Sequence, residues 1–511
     1  MSSPDTSSRS HLDASLLLAL VLCAGLLVAF LVVPYLPMVD LPQHAAQLGI
    51  WSRLSAAAPF ESSLFELNLR TPYLGAYVLA HALGPLFGTV PALKIVVWLA
   101  VVAHFAAFDL LVRTLGYSRW LSLLGLPFAL GYGFYFGFIS FIAAIPLGLV
   151  AISLALRFRA QPSWRLGSLL ALALCLTLAT HGFALGMTLA VIAPLLLRGG
   201  GSLFARFLPL CAPALLTVIW LMPGSSGRSI GLTIWDPRVL ELVQLPALLL
   251  AASGADHLAW MFGALLLGLV CSSLGRPSRE LERWLPLVFM LLGYCLFPLM
   301  LGGFGPLHPR FAAFFVPTLL LAFEPRQHEE HSHIPGLIAA TCVAWLGLLV
   351  HRLNAFEHET KPIADFVAEM PAGLSIRPIV FERTSEAFPA LPALLHLSAY
   401  YVPEKAGRQG YSFAMYPTSV IRYQPGLVPT MDGGSEWHPE WFSADNELGQ
   451  YDVFLVHSAS DRAPELFGAR AAELNLAFHE QGWWAYVDRS SLAFHDKGSS
   501  HGKSLVSSRS E

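Results

Sequence analysis

Long apolar runs separated by short polar connections fill the first 351 residues, and shorter, mixed stretches follow them. A membrane span needs about twenty mostly apolar residues, fewer where proline or glycine intervenes. On that measure twelve segments qualify: 14–36, 73–89, 93–112, 120–134, 138–156, 167–180, 183–197, 207–222, 257–274, 284–302, 310–323 and 334–351. The pattern predicts a mainly α, polytopic helical bundle in a membrane.

Orientation follows from where the arginines and lysines fall, because short cytoplasmic loops hold them in excess. The basic connections are 113–119, 157–165, 198–206, 275–283 and 324–333, each two spans from the next, so one side accommodates all five. Arg9 joins them only if one early segment does not cross. The weakest is TPYLGAYVLAHALGPLFG, 71–88, which is short, carries His81 and ends in Gly-Pro and Phe-Gly. It reads as a surface or re-entrant helix. Eleven crossings remain, with 1–13 a cytoplasmic tail, the start of the chain an uncleaved signal anchor, 14–351 the transmembrane domain and 37–92 a first external loop. In that loop Ala45, Leu48, Ile50, Trp51 and Leu54 form a helical stripe suited to lying flat on the bilayer.

After 351 the pattern changes. Strand-like runs at 377–383, 451–458 and 483–489 alternate with helix-like runs at 392–402 and 464–482. This predicts a small α/β domain, 352–495, on the external face, followed by a disordered tail, 496–511.

Composition agrees with a membrane protein: 55% of the 511 residues are hydrophobic and 13% charged. The formal net charge of -3 says little about partners, and with no long block of one sign no nucleic-acid partner is expected. All six cysteines lie in apolar runs, where they act as small hydrophobes, so neither a disulfide framework nor a zinc site is expected. No Walker loop, dinucleotide-binding glycine pattern or nucleophile elbow occurs in a fitting context.

Candidate chemistry gathers at the expected external ends of spans. Asp40 follows the first apolar run, and His44 lies one helical turn further along the same face. The acid suits a general base for a hydroxyl or amine, with the histidine positioning the acceptor or sharing the proton. Asp before Leu41-Pro42 is also a helix start, so a capping role stands beside the catalytic one. Arg310, with His308 two residues before it, and Arg70 are candidates for binding an anionic group, since a guanidinium fork suits phosphate oxygens; snorkelling to the interface is the plain alternative for Arg310. His181, between two spans, lines the same cavity or shapes the turn, and Lys94 is open to the same two readings. Tyr132 and Tyr135 suit contact with a sugar ring or lipid chain, or an interfacial aromatic belt. The three histidines of QHEEHSH, 327–333, lie on the cytoplasmic side, and the aromatic-rich MDGGSEWHPEWF, 431–442, either covers the site or is a structural loop.

An acid directly after an uncleaved first helix, the 71–88 segment, ALKIVVWLAVV, GFISFIAAIPLGLVAISLALR (137–157), LHPRFAAFFVPTLLLAF (307–323) and a soluble end with YDVFLVHS and GWWAYVDR together resemble the GT-C class of integral membrane glycosyltransferases. The likeness, to the dolichyl-phosphate-mannose and aminoarabinose transferase kind, covers nearly the whole chain through loose motifs. It implies a polyprenyl-phosphate sugar as donor, transfer on the outer face of a bacterial inner membrane to a glycan, lipid or protein acceptor, and Asp40 as the catalytic acid of the first external loop. Many members carry two adjacent acids there, whereas this chain has one followed by LPQH, leaving open a contribution from Glu61 or Glu66. A lone acid gives little reason to expect a divalent metal, since hard cations take several oxygen ligands, and no other cofactor is implied. The competing classes are a transporter or lipid flippase, and a non-catalytic envelope assembly protein of the same shape. Transporters place ionisable groups near the midplane in paired broken helices, a pattern not seen here.

Overall fold

The computed structural model describes residues 6–200, 202–221, 233–235, 239–251, 254–301, 305–326, 333–389, 391–427 and 435–488. The fold is mainly helical. The first apolar run forms α1 (Thr6–Val32), and α2 (Leu41–Ser55) starts immediately after Asp40 with proline in its first turn. Next come α3 (Leu74–Phe87), α4 (Thr89–Thr114), α5 (Ile139–Ala160), α6 (Trp164–Thr180), α7 (Gly182–Leu196) and the run Leu203–Trp220. Then follow α8 (His257–Ser273), α9 (Leu281–Leu296), α10 (Ala312–Ala322) and α11 (Ile334–Glu369). Among the described residues, five helices are long and apolar enough to cross a membrane: Ala14–Val32, Thr89–Thr114, Ile139–Ala160, Leu203–Trp220 and Ile334–Glu369. Four more apolar helices, including α3, are shorter. Outward leucines and valines such as Leu17, Val28 and Leu215 stay exposed, as expected of helices solvated by lipid.

The expected span 120–134 is not a single helix. It runs back along α4 as a 3-10 turn (Arg119–Leu124) and two short helices, Gly125–Ala129 and Tyr132–Tyr135. Ser122 donates to Asp109 of α4, a Cβ at Gly125 would press on Phe108, and one at Gly131 would meet the Leu248 and Leu249 carbonyls. Small residues let three backbones close together, and the irregular segment is tolerated because protein rather than lipid surrounds it.

The boundary expected at 351/352 is also crossed by a helix. α11 continues to Glu369, fixed where it passes α8 by a bidentate pair from Arg352 to Asp256, whose carboxylate also caps α8. Beyond α11 the chain forms a five-stranded sheet. With β1 (Phe65–Leu67) in the first loop and β4 (Ile421–Tyr423) paired antiparallel to it, the sheet strands are β2 (Ser375–Val380), β3 (Arg408–Gln409), β5 (Val453–His457), β6 (Leu474–Glu480) and β7 (Trp483–Asp488). Their order is β3-β2-β5-β7-β6, the first three parallel and the last two added antiparallel.

Two helix-like stretches come out differently. Within 464–482 only the start is helical; Leu474–Glu480 is a strand, because Gln481 and Gly482, both at positive φ, form a two-residue turn that folds it against Trp483–Asp488. The stretch 392–402 is turns, a 3-10 turn (Leu397–Tyr400) and the start of a short helix at Tyr401.

α2 does not lie flat with one face on lipid. Nearly every residue from Leu41 to Trp51 is buried, since α3 and α4 cover one side and the C-terminal region covers the other. At Gly49 a Cβ would stand 2.6 Å from the Pro403 Cα, so glycine permits this contact. Gln43 donates toward Gln409 and the Tyr411 carbonyl, and Gln47 toward the Ile421 carbonyl. Arg53 binds both Glu61 and the Val402 carbonyl. The amphipathic stripe was legible, but its polar side is satisfied by protein instead of water.

Candidate active site

Asp40 stands at the first turn of α2 as its N-cap by position, yet its side chain makes no capping hydrogen bond. The turn Tyr135–Gly137 performs the docking instead: Val39 and Asp40 N–H groups donate to the Tyr135 and Phe136 carbonyls at 2.9 and 3.1 Å. The carboxylate is thereby left facing a polar cluster, with 18% of the side chain exposed. Burial lifts its pKa to about 7; the Arg310 guanidinium pulls it down and Glu436 pushes it up.

His44 turns to Tyr77 of α3, with its Nδ1 2.5 Å from the phenol oxygen, and it also hydrogen-bonds the Gly137 backbone. Phe413 from the C-terminal region meets its edge. Burial lowers its pKa to about 3, with the Gly137 contact opposing. This neutral ring ties α2, α3 and the Gly137 turn together beneath the acid.

Arg310 lies in the 3-10 turn before α10 and is buried. Its guanidinium carbon sits 3.8 Å above the centre of the Phe138 ring, a cation–π contact. Nε donates to the Pro306 carbonyl at 2.8 Å, and Nη1 lies 3.3 Å from His181 Nε2. His181 is also the N-cap of α7, its Nδ1 accepting from Ala184 N–H at 3.3 Å. A neutral imidazole has one acceptor nitrogen, so these two contacts compete for it. Arg310 also heads a pocket running among apolar walls, with Tyr132, Phe128, Phe141, Pro309 and His104 in its lining.

The remaining sequence candidates are placed elsewhere. His308 faces Glu241, 3.7 Å away, and the edge of Tyr294. Arg70 is exposed, and its backbone N–H bonds Asn68. Lys94 donates to the Val33 carbonyl at 2.6 Å, closing the C-terminal end of α1. Glu61 pairs with Arg53 and Glu66 with Arg422, so these two glutamates are occupied in joining the loop to its surroundings. Tyr132 and Tyr135 are buried and line two different pockets. Most of QHEEHSH and the first third of MDGGSEWHPEWF lie outside the described residues. Among the described residues no group of three or more His, Cys, Asp or Glu side chains is arranged to hold a metal ion.

One neighbour of Asp40 escaped the sequence reading. His396 presents Nε2 at 3.9 Å from Asp40 Oδ1, and its ring stacks on Tyr411 with centroids 5.3 Å apart. A single histidine in PALLHLSAYY carries no motif, so nothing in the chain marked it.

Neither protein-family models nor curated proteins match this chain in sequence. The fold nevertheless defines a class of architecture: a mainly helical, polytopic membrane protein with a small sheet region. It is similar to ArnT from Cupriavidus metallidurans in the apo state, with a TM-score of 0.55 at 11% identity over 95% of this chain and 99% of that one. The same ArnT bound to undecaprenyl phosphate matches with a TM-score of 0.54 at 11% identity, over 93% and 98%. At that identity the likeness establishes a shared fold.

Proposed function

We propose that this protein is a glycosyltransferase that moves a sugar from a polyprenyl-phosphate donor to an acceptor at the external face of a bacterial inner membrane, with Asp40 as general base. The observation that carries this reading is the Asp40 carboxylate, released from capping and turned toward a cluster that includes Arg310. The ArnT structure of the same fold holds undecaprenyl phosphate. In this chain Arg310 suits the lipid phosphate: it is buried, its plane is fixed on Phe138, and it lines a small pocket with largely apolar walls. His181 would hold the guanidinium from behind.

The ionised Asp40 takes the acceptor's proton, the acceptor atom bonds to the anomeric carbon, and the carbon–oxygen bond to phosphate breaks with its electron pair leaving on the phosphate. Attack opposite the leaving group inverts the anomeric centre, by analogy with inverting glycosidases. Lipid phosphate needs no acid to depart, since Arg310 stabilises its charge. His44 keeps the acid's platform fixed. His308 and Arg70, placed apart from this cluster, fit contacts to more distant parts of donor or acceptor.

The test is transfer by purified protein with a panel of undecaprenyl-phosphate sugars and a membrane lipid and glycan extract, following released undecaprenyl phosphate by mass spectrometry. Parent activity with loss in Asp40→Asn supports the reading; equal release by both removes Asp40 from the chemistry.

A further inference from the structure

We propose that His396 is a positioning residue for this transfer, its Nε2 and the Asp40 carboxylate holding the acceptor's nucleophilic hydroxyl between them. The inference rests on Asp40 as base, and adds to it a residue from the C-terminal region and an acceptor class, one that presents a hydroxyl.

The separation of 3.9 Å is too long for a direct hydrogen bond. It suits one intervening oxygen at roughly 2.8 Å from each atom. His396 cannot swing away to other partners, because it is buried, stacked flat on Tyr411 and set edge-on to Phe413. Phe413 also meets His44, so one aromatic side chain holds both imidazoles around the acid. The loop that supplies Tyr411 and Phe413 is anchored to α2 by Gln43. Asp40, near Arg310 and Glu436, therefore faces a roof built by sequence more than 350 residues away.

The chemistry favours a hydroxyl. Burial and the nearby His44 keep His396 neutral, so it does not compete with Asp40 for the proton. In the Nε2–H tautomer it donates to one lone pair of the acceptor oxygen. The second lone pair attacks the anomeric carbon, and the hydroxyl proton passes to Asp40 as the carbon–phosphate-oxygen bond breaks toward Arg310. His396 exchanges no proton. An ammonium acceptor has no lone pair to offer the imidazole.

The test uses native substrates without requiring their identity. In a strain lacking this chain, envelope glycoforms are compared by mass spectrometry, and the gene is returned under induction, with the initial rate of glycoform restoration as readout. His396→Phe keeps a flat ring for Tyr411 but no nitrogen, whereas His396→Gln carries an amide N–H near the place of Nε2–H. At parental membrane abundance the Phe variant is expected to restore the glycoform about 10²-fold more slowly, and the Gln variant to recover at least about tenfold of that loss. Restoration by His396→Phe at the parental rate, equal slowing by both variants, or a fall in abundance of both overturns the proposal. Asp40→Asn separates the two readings. If that variant restores the glycoform, or if loss of the gene changes none, the base assignment itself fails; if it is inactive while His396→Phe is fully active, only the role of His396 falls.

Discussion

Gly137, at φ +82°, packs against the backbone nitrogen of Asp40 so closely that a Cβ would stand 2.7 Å from it and 2.9 Å from the nitrogen of Leu41. The turn that satisfies the Val39 and Asp40 N–H groups therefore requires glycine on two counts, conformation and space. Gly137→Ala is expected to be destabilised by more than the roughly 1–2 kcal/mol of the left-handed conformation alone. Its melting temperature in detergent should fall, and transfer should fall further than the folded fraction does, since Asp40 shifts with the turn.

As the proposed general base, Asp40 is expected to set the pH dependence of transfer. Its pKa is raised from 3.8 to about 7, so the carboxyl is neutral below that pH and becomes a base above it. Transfer should rise through pH 7 and level off above it. The linkage sign follows: the folded state binds a proton that the unfolded state has lost between pH 3.8 and 7, so this group's contribution to stability declines as pH rises across that window. Asp40→Asn should melt higher than the parent at pH 8, with the gain shrinking toward pH 4, while transfer is lost at every pH. Differential scanning fluorimetry across that range checks the sign.

Arg310 is expected to dominate affinity for the lipid phosphate. A charge-assisted hydrogen bond contributes about 1.5–3 kcal/mol, so Arg310→Gln should weaken undecaprenyl phosphate binding by about ten- to a hundredfold. Arg310→Lys should not restore it, because an ammonium neither spreads over Phe138 nor presents two parallel donors. Native mass spectrometry against competing lipids measures both.

The Asp256–Arg352 pair locks α8 to α11 where α11 leaves the bundle for the sheet. Asp256→Ala removes both the pair and the α8 cap and leaves a largely buried guanidinium without its counter-charge. A loss of about 3 kcal/mol or more is expected. Replacing both residues with apolar ones should cost less than the single change, and chemical denaturation of the three variants tests that order.

Topology makes a separate prediction. On a background without the native cysteines, Arg70→Cys and Arg113→Cys should react with membrane-impermeant maleimide from opposite faces, Arg70→Cys from outside. Labelling of both from one side would overturn the proposed orientation.

The sequence was most readable where one physical rule acted locally. Twenty apolar residues in a row have few alternatives to a membrane helix. Rules that depend on partners were less readable. The span expected at 120–134 broke because its glycines face Phe108 and two carbonyls from residues far along the chain. The helix expected at 474–480 became a strand because Trp483–Asp488 stood ready to pair with it. Asp40 was equally readable as a cap and as a base; in the fold it holds the N-cap position, but its side chain makes no capping hydrogen bond.

By itself the sequence determined that this is a helical membrane protein, that an acid ends its first apolar run, and that a smaller mixed region follows the bundle. These follow from hydrophobic runs and spacing, which are properties of neighbouring residues. Only the tertiary structure decided that α2 is enclosed rather than surface-bound, that Glu61 and Glu66 are tied to arginines, and that His396 stands across from Asp40. Those outcomes depend on which distant backbone and side-chain groups fill one small volume, and contact of that kind leaves no period in the chain.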